Sequence, residues 1–321
     1  MEVAFRLRRQ PDRSSPPYWQ TFHLTLDGCT VLDALNRIQW ELDGTLAFRR
    51  NCRNVICGSC GMEINGKPSL ACQVSVASVV GNGVIEIKPM GNFPVIKDLV
   101  VDMTSFWQDL QRVDPYVVSV TSRQTPDQRS VVAKAAGCIL CGNCYSACNV
   151  KTVNPQFVGP HALAKAQRLL ADNRDNKTID RLQKYHHNDF VWGCTRCWQC
   201  NEVCPVGVQP LDRISEIKAV VLNNKRTHRT TAVKHRQVLI SLVKRWGWLD
   251  EAQFVLGVVN ILSVIPLGMR LILCSKFPYP WQFVPSKGRE QIKAIIDLLL
   301  SDNWRESPAL LPSHSRNRHG Y

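Results

Sequence analysis

Twelve of the chain's fourteen cysteines fall into three groups, and their spacing is where the sequence could do chemistry. The stretch CRNVICGSCGMEINGKPSLAC carries Cys52, Cys57, Cys60 and Cys72, and CILCGNCYSAC carries Cys138, Cys141, Cys144 and Cys148. The third, CTRCWQCNEVCP, carries Cys194, Cys197, Cys200 and Cys204 ahead of Pro205. Thiols at this density serve as disulfide staples, zinc ligands or iron–sulfur ligands. Staples belong to secreted chains, and the start MEVAFRLRRQ has no apolar signal-like stretch, so disulfides are not expected. Zinc ribbons favour two C-x-x-C knuckles. The first group instead reads Cys52-x4-Cys57-x2-Cys60 with Cys72 following, which is the plant-type two-iron spacing. Gly58 and Gly61 there let backbone N–H groups approach the sulfurs, stabilising negative charge and helping to set the potential.

The other two groups follow C-x2-C-x2-C-x3-C, the bacterial two-cluster pattern in which the fourth cysteine of each run ligates the other run's cluster. One four-iron site is therefore expected from Cys138, Cys141 and Cys144 with Cys204. A second is expected from Cys194, Cys197 and Cys200 with Cys148. The crossing forces the two clusters close together, as electron tunnelling requires. Cys29 and Cys274 have no cysteine at ligand spacing and are expected to be buried, inert thiols.

These groups need elements to hold them. Val3, Phe5 and Leu7, then Phe22, Leu24 and Leu26, alternate with polar residues and predict two half-buried strands joined through PDRSSPPY. TVLDALNRI predicts a helix with Val31, Leu35 and Ile38 on one face and Thr30 as its N-cap. VIEIK, Val84 to Lys88, predicts a returning strand after the turn GNG. Strand, strand, helix and strand describe a ferredoxin-like β-grasp.

Beyond the first cysteine group comes FPVIKDLVVDM (93–103). Together with CGSCGMEINGKPSLAC, NPQFVGPHALAKAQRLLADNRD (154–175) and the last cysteine run, it resembles the iron–sulfur subunit of succinate dehydrogenase and fumarate reductase. The resemblance implies an α+β chain in three parts. Residues 1–105 form a plant-type [2Fe-2S] ferredoxin β-grasp domain, and residues 106–222 an α-helical, bacterial-ferredoxin-like domain with two cubane-type clusters. Residues 223–321 form a helical C-terminal extension.

The resemblance also implies electron transfer from a separate FAD-containing flavoprotein subunit, where succinate becomes fumarate, towards quinone, with the last cluster at the membrane-proximal end. In most relatives the position of Cys197 is apolar and the last cluster has three irons. A thiolate at Cys197 supplies the missing corner and implies a second [4Fe-4S] cluster; the alternative is a free thiol beside a [3Fe-4S] cluster. The family's usual quinone contacts are replaced by Asn149, Thr152, Val153 and Thr195, so none is carried over.

No G-x-G-x-x-G opens a helix after a strand and no phosphate-binding G-x-x-x-x-G-K-[ST] is present. The chain is expected to bind neither flavin nor nicotinamide and to have no catalytic residues of its own, acting as a wire in a succinate:quinone oxidoreductase. His186 and His187 are expected at a solvated helix end. The formal net charge of +14 overstates the basicity of a protein whose thiolate-held clusters are anionic. Basic residues are scattered before about residue 225, so nucleic acid is not an expected partner; an acidic subunit or a membrane surface is.

The extension carries most of the basic bias. No acidic residue occurs from Ala219 to Leu249, whereas Lys225, Arg226, Arg229, Lys234, Arg236, Lys244 and Arg245 do. With Val238, Leu239, Leu242 and Val243 as an apolar face, this predicts a basic amphipathic helix, of the surface-binding type or packed on its own domain. FVLGVVNILSVIPLGM (254–269) is too short to span a bilayer and is expected to be buried or interfacial. The tail SPALLPSHSRNRHGY is expected to be disordered or draped over a partner. The extension, with GWLDEAQF inside it, resembles that of a less common branch whose membrane partner is cysteine-rich. A peripheral position on the cytoplasmic face of a bacterial membrane follows. The neighbouring readings are a fumarate reductase subunit, a heterodisulfide-reductase-like complex or another flavin dehydrogenase. A non-redox protein stapled by its metal sites is the reading from a different class.

Overall fold

The computed structural model describes residues 1–118, 123–223, 230–259, 261–274 and 283–300. It divides into two compact units, Met1–Thr227 and His228–Tyr321.

The first unit begins with β1 (Glu2–Arg9) and β2 (Tyr18–Thr25), an antiparallel pair with Phe5 opposite Phe22. Helix α1 (Val31–Arg37) starts at Thr30, whose hydroxyl accepts from Asp33 N at 3.2 Å while Asp33 Oδ2 accepts from Thr30 N at 3.1 Å. That is a reciprocal capping box, and it satisfies two orphan donors. The β3 strand (Gly61–Ile64) and β4 (Lys67–Leu70) form a hairpin inside the first cysteine group. Its two-residue loop is Asn65-Gly66, both at positive φ (47° and 79°), as a type I′ turn demands. The Asn-Gly pair is visible in the sequence and is the signal for this hairpin, which strand alternation alone does not reveal.

After the short helix α2 (Val76–Val79), β5 (Val84–Lys88) returns parallel to β1 and completes a five-stranded sheet of order β2-β1-β5-β3-β4. Val3, Phe5, Leu7, Phe22 and Leu24 meet Leu32, Leu35 and Ile38 in one core. The alternation of β1 and the helical face of α1 are thus two sides of the same burial. A small hairpin, β6 (Val95–Lys97) and β7 (Val100–Val101), leads into the helices.

The helical part comprises α3 (Thr104–Gln111), α4 (Pro126–Ala136), α5 (Asn143–Ser146), α6 (Asn149–Val153), α7 (Gly159–Leu170), α8 (Thr178–Tyr185), α9 (Gln199–Glu202) and α10 (Pro210–Asn223). Its core is the face between α7 and α10, where Ala162, Leu163 and Ala166 join Ile214, Ile217 and Val221. Two buried ion pairs pin the surrounding loops. Lys151 Nζ donates to Asp109 Oδ2 (2.6 Å) and to the carbonyls of Pro155 and Phe157. Arg181 binds Asp175 (Nε to Oδ2, 2.6 Å) and the carbonyls of Val113, Asp114 and Tyr116. With every donor occupied, neither cation is left as an uncompensated buried charge.

The second unit holds α11 (Thr231–Trp246), α12 (Glu251–Val258), α13 (Ile261–Leu273) and α14 (Arg289–Leu300). Within it α11 packs on α12 and α14, with Leu242 buried and Lys244 ion-paired to Asp297.

Several expectations are corrected. The run 254–269 is two helices rather than one, and no residue of α12 is buried. Cys274 is exposed and Cys29 half-buried. His186 is buried rather than solvated, with its Nδ1 accepting from Trp192 Nε1 at 2.8 Å, while His187 is exposed. The imidazole of His186 is thus the polar partner of a partly buried indole N–H. Lys225, Arg226, Arg229 and the tail SPALLPSHSRNRHGY lie outside the described residues.

Candidate iron–sulfur sites

The first cysteine loop is wrapped so that amides face sulfur. Asn54 N, Ile56 N and Cys57 N each donate to Cys52 Sγ at 3.3 Å, and Val55 N donates to Cys72 Sγ at 3.4 Å. Arg53 and Val55 take positive φ (58° and 55°) to allow this, a strained choice for residues with a Cβ. Against the push of burial, the Ser59 hydroxyl and the amides of Cys52 and Ser59 hold the Cys57 thiol down at about 6. Cys60 is buried, and burial followed by the charge of Cys72 pushes it up to about 12. Neutral thiols in such a pocket are costly to ionise, and a cationic iron core offsets that cost. Donor identity and amide placement both fit a two-iron cluster.

The other two loops repeat one backbone. Leu140 and Gly142 in the first (φ 54° and 85°) correspond to Arg196 and Trp198 in the second (φ 62° and 73°). Each loop then enters a one-turn helix, α5 or α9. Gly142 meets its left-handed requirement freely, but Trp198 pays for it. The sequence shows the matching cysteine spacing and hides this conformational identity. Cys197 therefore occupies in its loop the place that Cys141 occupies in the other.

The chain brings these cysteines together in crossed sets. Cys138, Cys141, Cys144 and Cys204 line one enclosed, largely apolar cavity. Burial, then the neighbouring thiols, push Cys141 up to about 11, and the same causes raise Cys144 well above its ordinary value. Cys200 is pushed up to about 12 by burial and then by Cys194, Cys148 and Cys197. Cys148 is raised by burial, and the charges of Cys197 and Cys194 add to it. Among the described residues no three His, Cys, Asp or Glu side chains converge as they do around a single ion. A four-iron cube asks for a different arrangement, one thiolate per iron around a larger body.

Neighbouring sets touch. A Cβ on Gly58 would lie 2.8 Å from Cys141 Cβ, so the two-iron loop packs directly on the next loop. At the far side Cys144 feels the charge of Cys200. The line ends at the surface, where Thr195, Arg196, Cys197 and Trp198 are all exposed and Val153 is 82% exposed.

Three supporting residues escaped the sequence reading. Asn92, at φ 63°, donates its amide to the carbonyls of Tyr145 (2.8 Å), Ser146 (3.1 Å) and Cys148 (3.0 Å), and Thr152 Oγ1 donates back to it at 2.9 Å. Lys165 Nζ donates to Cys138 O at 3.4 Å, and Lys218 Nζ to Cys194 O at 2.9 Å. The duplicated cysteine runs are the signal that could have prompted a search for paired lysines. His161, buried and stacked on Phe106 at 3.8 Å, borders the same cavity as Cys138. Its Nε2 donates to Phe106 O (2.9 Å) and burial drives it down to about 3, so it is neutral.

Comparison with known proteins also points to iron–sulfur domains. Residues 4–108 match the model of a 2Fe-2S iron–sulfur cluster binding domain, and residues 134–208 that of a 4Fe-4S dicluster domain. The fumarate reductase iron–sulfur subunit of Mycobacterium tuberculosis is 41% identical over 227 residues, covering 68% of this chain and 90% of that one. The succinate dehydrogenase iron–sulfur subunit of Paracoccus denitrificans is 35% identical over 225 residues, covering 67% and 86%. A chain of the Mycobacterium smegmatis Sdh1 complex in its apo form superposes with a TM-score of 0.62 at 26% identity, over 71% of this chain and 99% of that one. The chain belongs to the family of iron–sulfur subunits of fumarate reductase and succinate dehydrogenase.

Proposed function

We propose that this chain is the electron-transfer subunit of a membrane-bound succinate:quinone oxidoreductase, relaying electrons from a flavoprotein subunit towards quinone. The observation that carries the reading is the unbroken line of cysteine sets, from the Cys57–Cys60 loop against Cys141, through Cys144 beside Cys200, to the exposed loop at Cys197. In this reading Cys52, Cys57, Cys60 and Cys72 hold a two-iron cluster. Cys138, Cys141, Cys144 and Cys204 hold a four-iron cluster, and Cys148, Cys194, Cys197 and Cys200 hold a second. The clusters, when bound, accept and release single electrons. The protein's part is to space the thiolates, turn amides towards sulfur and exclude water from the middle set.

The likeness of the Cys197 and Cys141 backbones supports a four-iron rather than a three-iron last cluster. We divide the chain functionally into a ferredoxin domain (1–105), a two-cluster domain (106–222) and a docking extension (223–321). In the extension, Ile265, Met269 and Ile272 on α13 are exposed at helical spacing, with Leu273 beside them. The exposed Lys234, Arg236, Arg245 and Arg270 supply positive charge. No helix among the described residues is long and apolar enough to cross a membrane, so the reading is a peripheral one. Basic side chains near an anionic leaflet are worth about 1 kcal/mol each, and exposed apolar side chains enter the headgroup boundary. The membrane partner would be of the cysteine-rich kind, on the cytoplasmic face.

Anaerobically purified chain should be brown, bleach with dithionite and show one two-iron and two four-iron signals by electron paramagnetic resonance. Colourless, zinc-loaded protein would contradict the reading.

A further inference from the structure

Lys165 is a half-buried cation with no anion assigned to it. It sits on α7, and its one hydrogen bond runs to the carbonyl of Cys138 at 3.4 Å. Among the described residues no carboxylate lies within ion-pair distance of its Nζ. Arg168, one turn on, already has Asp172 at 3.4 Å. Lysine is an expensive choice for such a place, because a desolvated ammonium without a counter-charge is disfavoured. Its hydrogen-bond partner is the backbone of Cys138, whose thiol interacts with its charge and is one of four lining a cavity walled by Leu140, Ala164, Pro205, Val206 and Val208. Charges interact strongly across such apolar walls, since little water screens them.

We propose that Lys165 is a potential-setting residue for the middle cluster, its positive charge favouring the reduced form. The proposal rests on the reading of Cys138, Cys141, Cys144 and Cys204 as a four-iron site. Adding one electron makes a thiolate-held cluster more negative, and net charge and burial are among the properties that set its potential. A cation beside Cys138 stabilises the extra charge and raises the midpoint. The consequence is kinetic as well as thermodynamic: the middle station is kept from becoming too reluctant an acceptor between its neighbours. Lys165 is partly buried and is not one of the ligating cysteines, so its effect passes through the cluster.

The test is a redox titration of the assembled complex, followed by electron paramagnetic resonance, in wild type, Lys165→Met, Lys165→Gln and Lys165→Arg. The Met and Gln variants should disfavour reduction of the middle cluster about tenfold, a fall of about 59 mV for one electron. The two-iron midpoint should not move, and Arg should restore the wild-type value. A purely structural role would lower the cluster content without shifting the midpoint of what remains. An unshifted midpoint in both Met and Gln variants would overturn the proposal. Absence of any four-iron signal in wild type would instead overturn the cysteine reading, and the lysine's role with it.

Discussion

A cysteine becomes a ligand only where the backbone can present its sulfur, and Cys197 is presented as Cys141 is. Arg196 and Trp198 accept positive φ on either side of it (62° and 73°), at a cost of about 1 kcal/mol or more each for residues with a Cβ. Such strain persists where surrounding structure demands it, and on the proposed reading a four-cornered cluster is such a demand. Cys197→Ser or Cys197→Ile should convert the last cluster to a three-iron form. The oxidised variant would then show a three-iron paramagnetic signal that wild type lacks, with the other two clusters intact. An intense signal of that kind in anaerobic wild type would remove Cys197 from the ligand set. At this scale the sequence was most legible where spacing alone carries the chemistry, as in Cys52-x4-Cys57-x2-Cys60. It was silent where a distant side chain acts on a backbone atom. Nothing adjacent to Asn92 indicates that it will bind three carbonyls more than fifty residues away, and Lys165 looks like any solvated helix lysine.

The elements are positioned by packing that the cysteines themselves do not provide. In β1 and α1 periodicity, capping and burial agree, so strand, helix and N-cap were readable directly. The β3–β4 hairpin was overlooked because its strands are only four residues long and interleaved with ligands; its Asn-Gly turn is the local chemistry that marks it. His186 failed for the opposite reason, since its burial depends on Trp192 folding back six positions later. The helical part is held by buried polar pins as well as by the α7–α10 face. Arg181 and Asp175 are both almost fully buried and paired at 2.6 Å. Removing the cation alone strands a buried carboxylate, at a cost of about 3–5 kcal/mol. Arg181→Met should therefore lower the thermal midpoint of helix loss, followed by circular dichroism. The double variant Arg181→Met/Asp175→Leu should recover much of that loss. A single variant as stable as wild type would mean that the loop around Val113–Tyr116 does not depend on this pin.

For the whole molecule, the two relatives described above cover about two-thirds of the chain, and the second unit, His228–Tyr321, is a separate compact body. Its exposed apolar and basic residues gave a readable composition, but not a readable architecture. Pro266 sits within α13, and the apolar run splits ahead of it, which hydropathy alone does not specify. On the proposed reading, deleting residues 223–321 leaves all three clusters assembled and dye-linked succinate oxidation intact, while quinone-linked turnover on membranes falls. Full quinone-linked turnover in the truncated protein would mean that the extension is not the route to the membrane.

On the proposed reading this chain carries electrons and performs no substrate chemistry of its own. The most direct measurement is anaerobic cluster reduction by succinate, followed by electron paramagnetic resonance, with and without the flavoprotein subunit. Dithionite should reduce the clusters of the isolated chain, succinate should leave them oxidised, and succinate should reduce them once the flavoprotein is restored. Reduction of the isolated, flavin-free chain by succinate alone would contradict that reading.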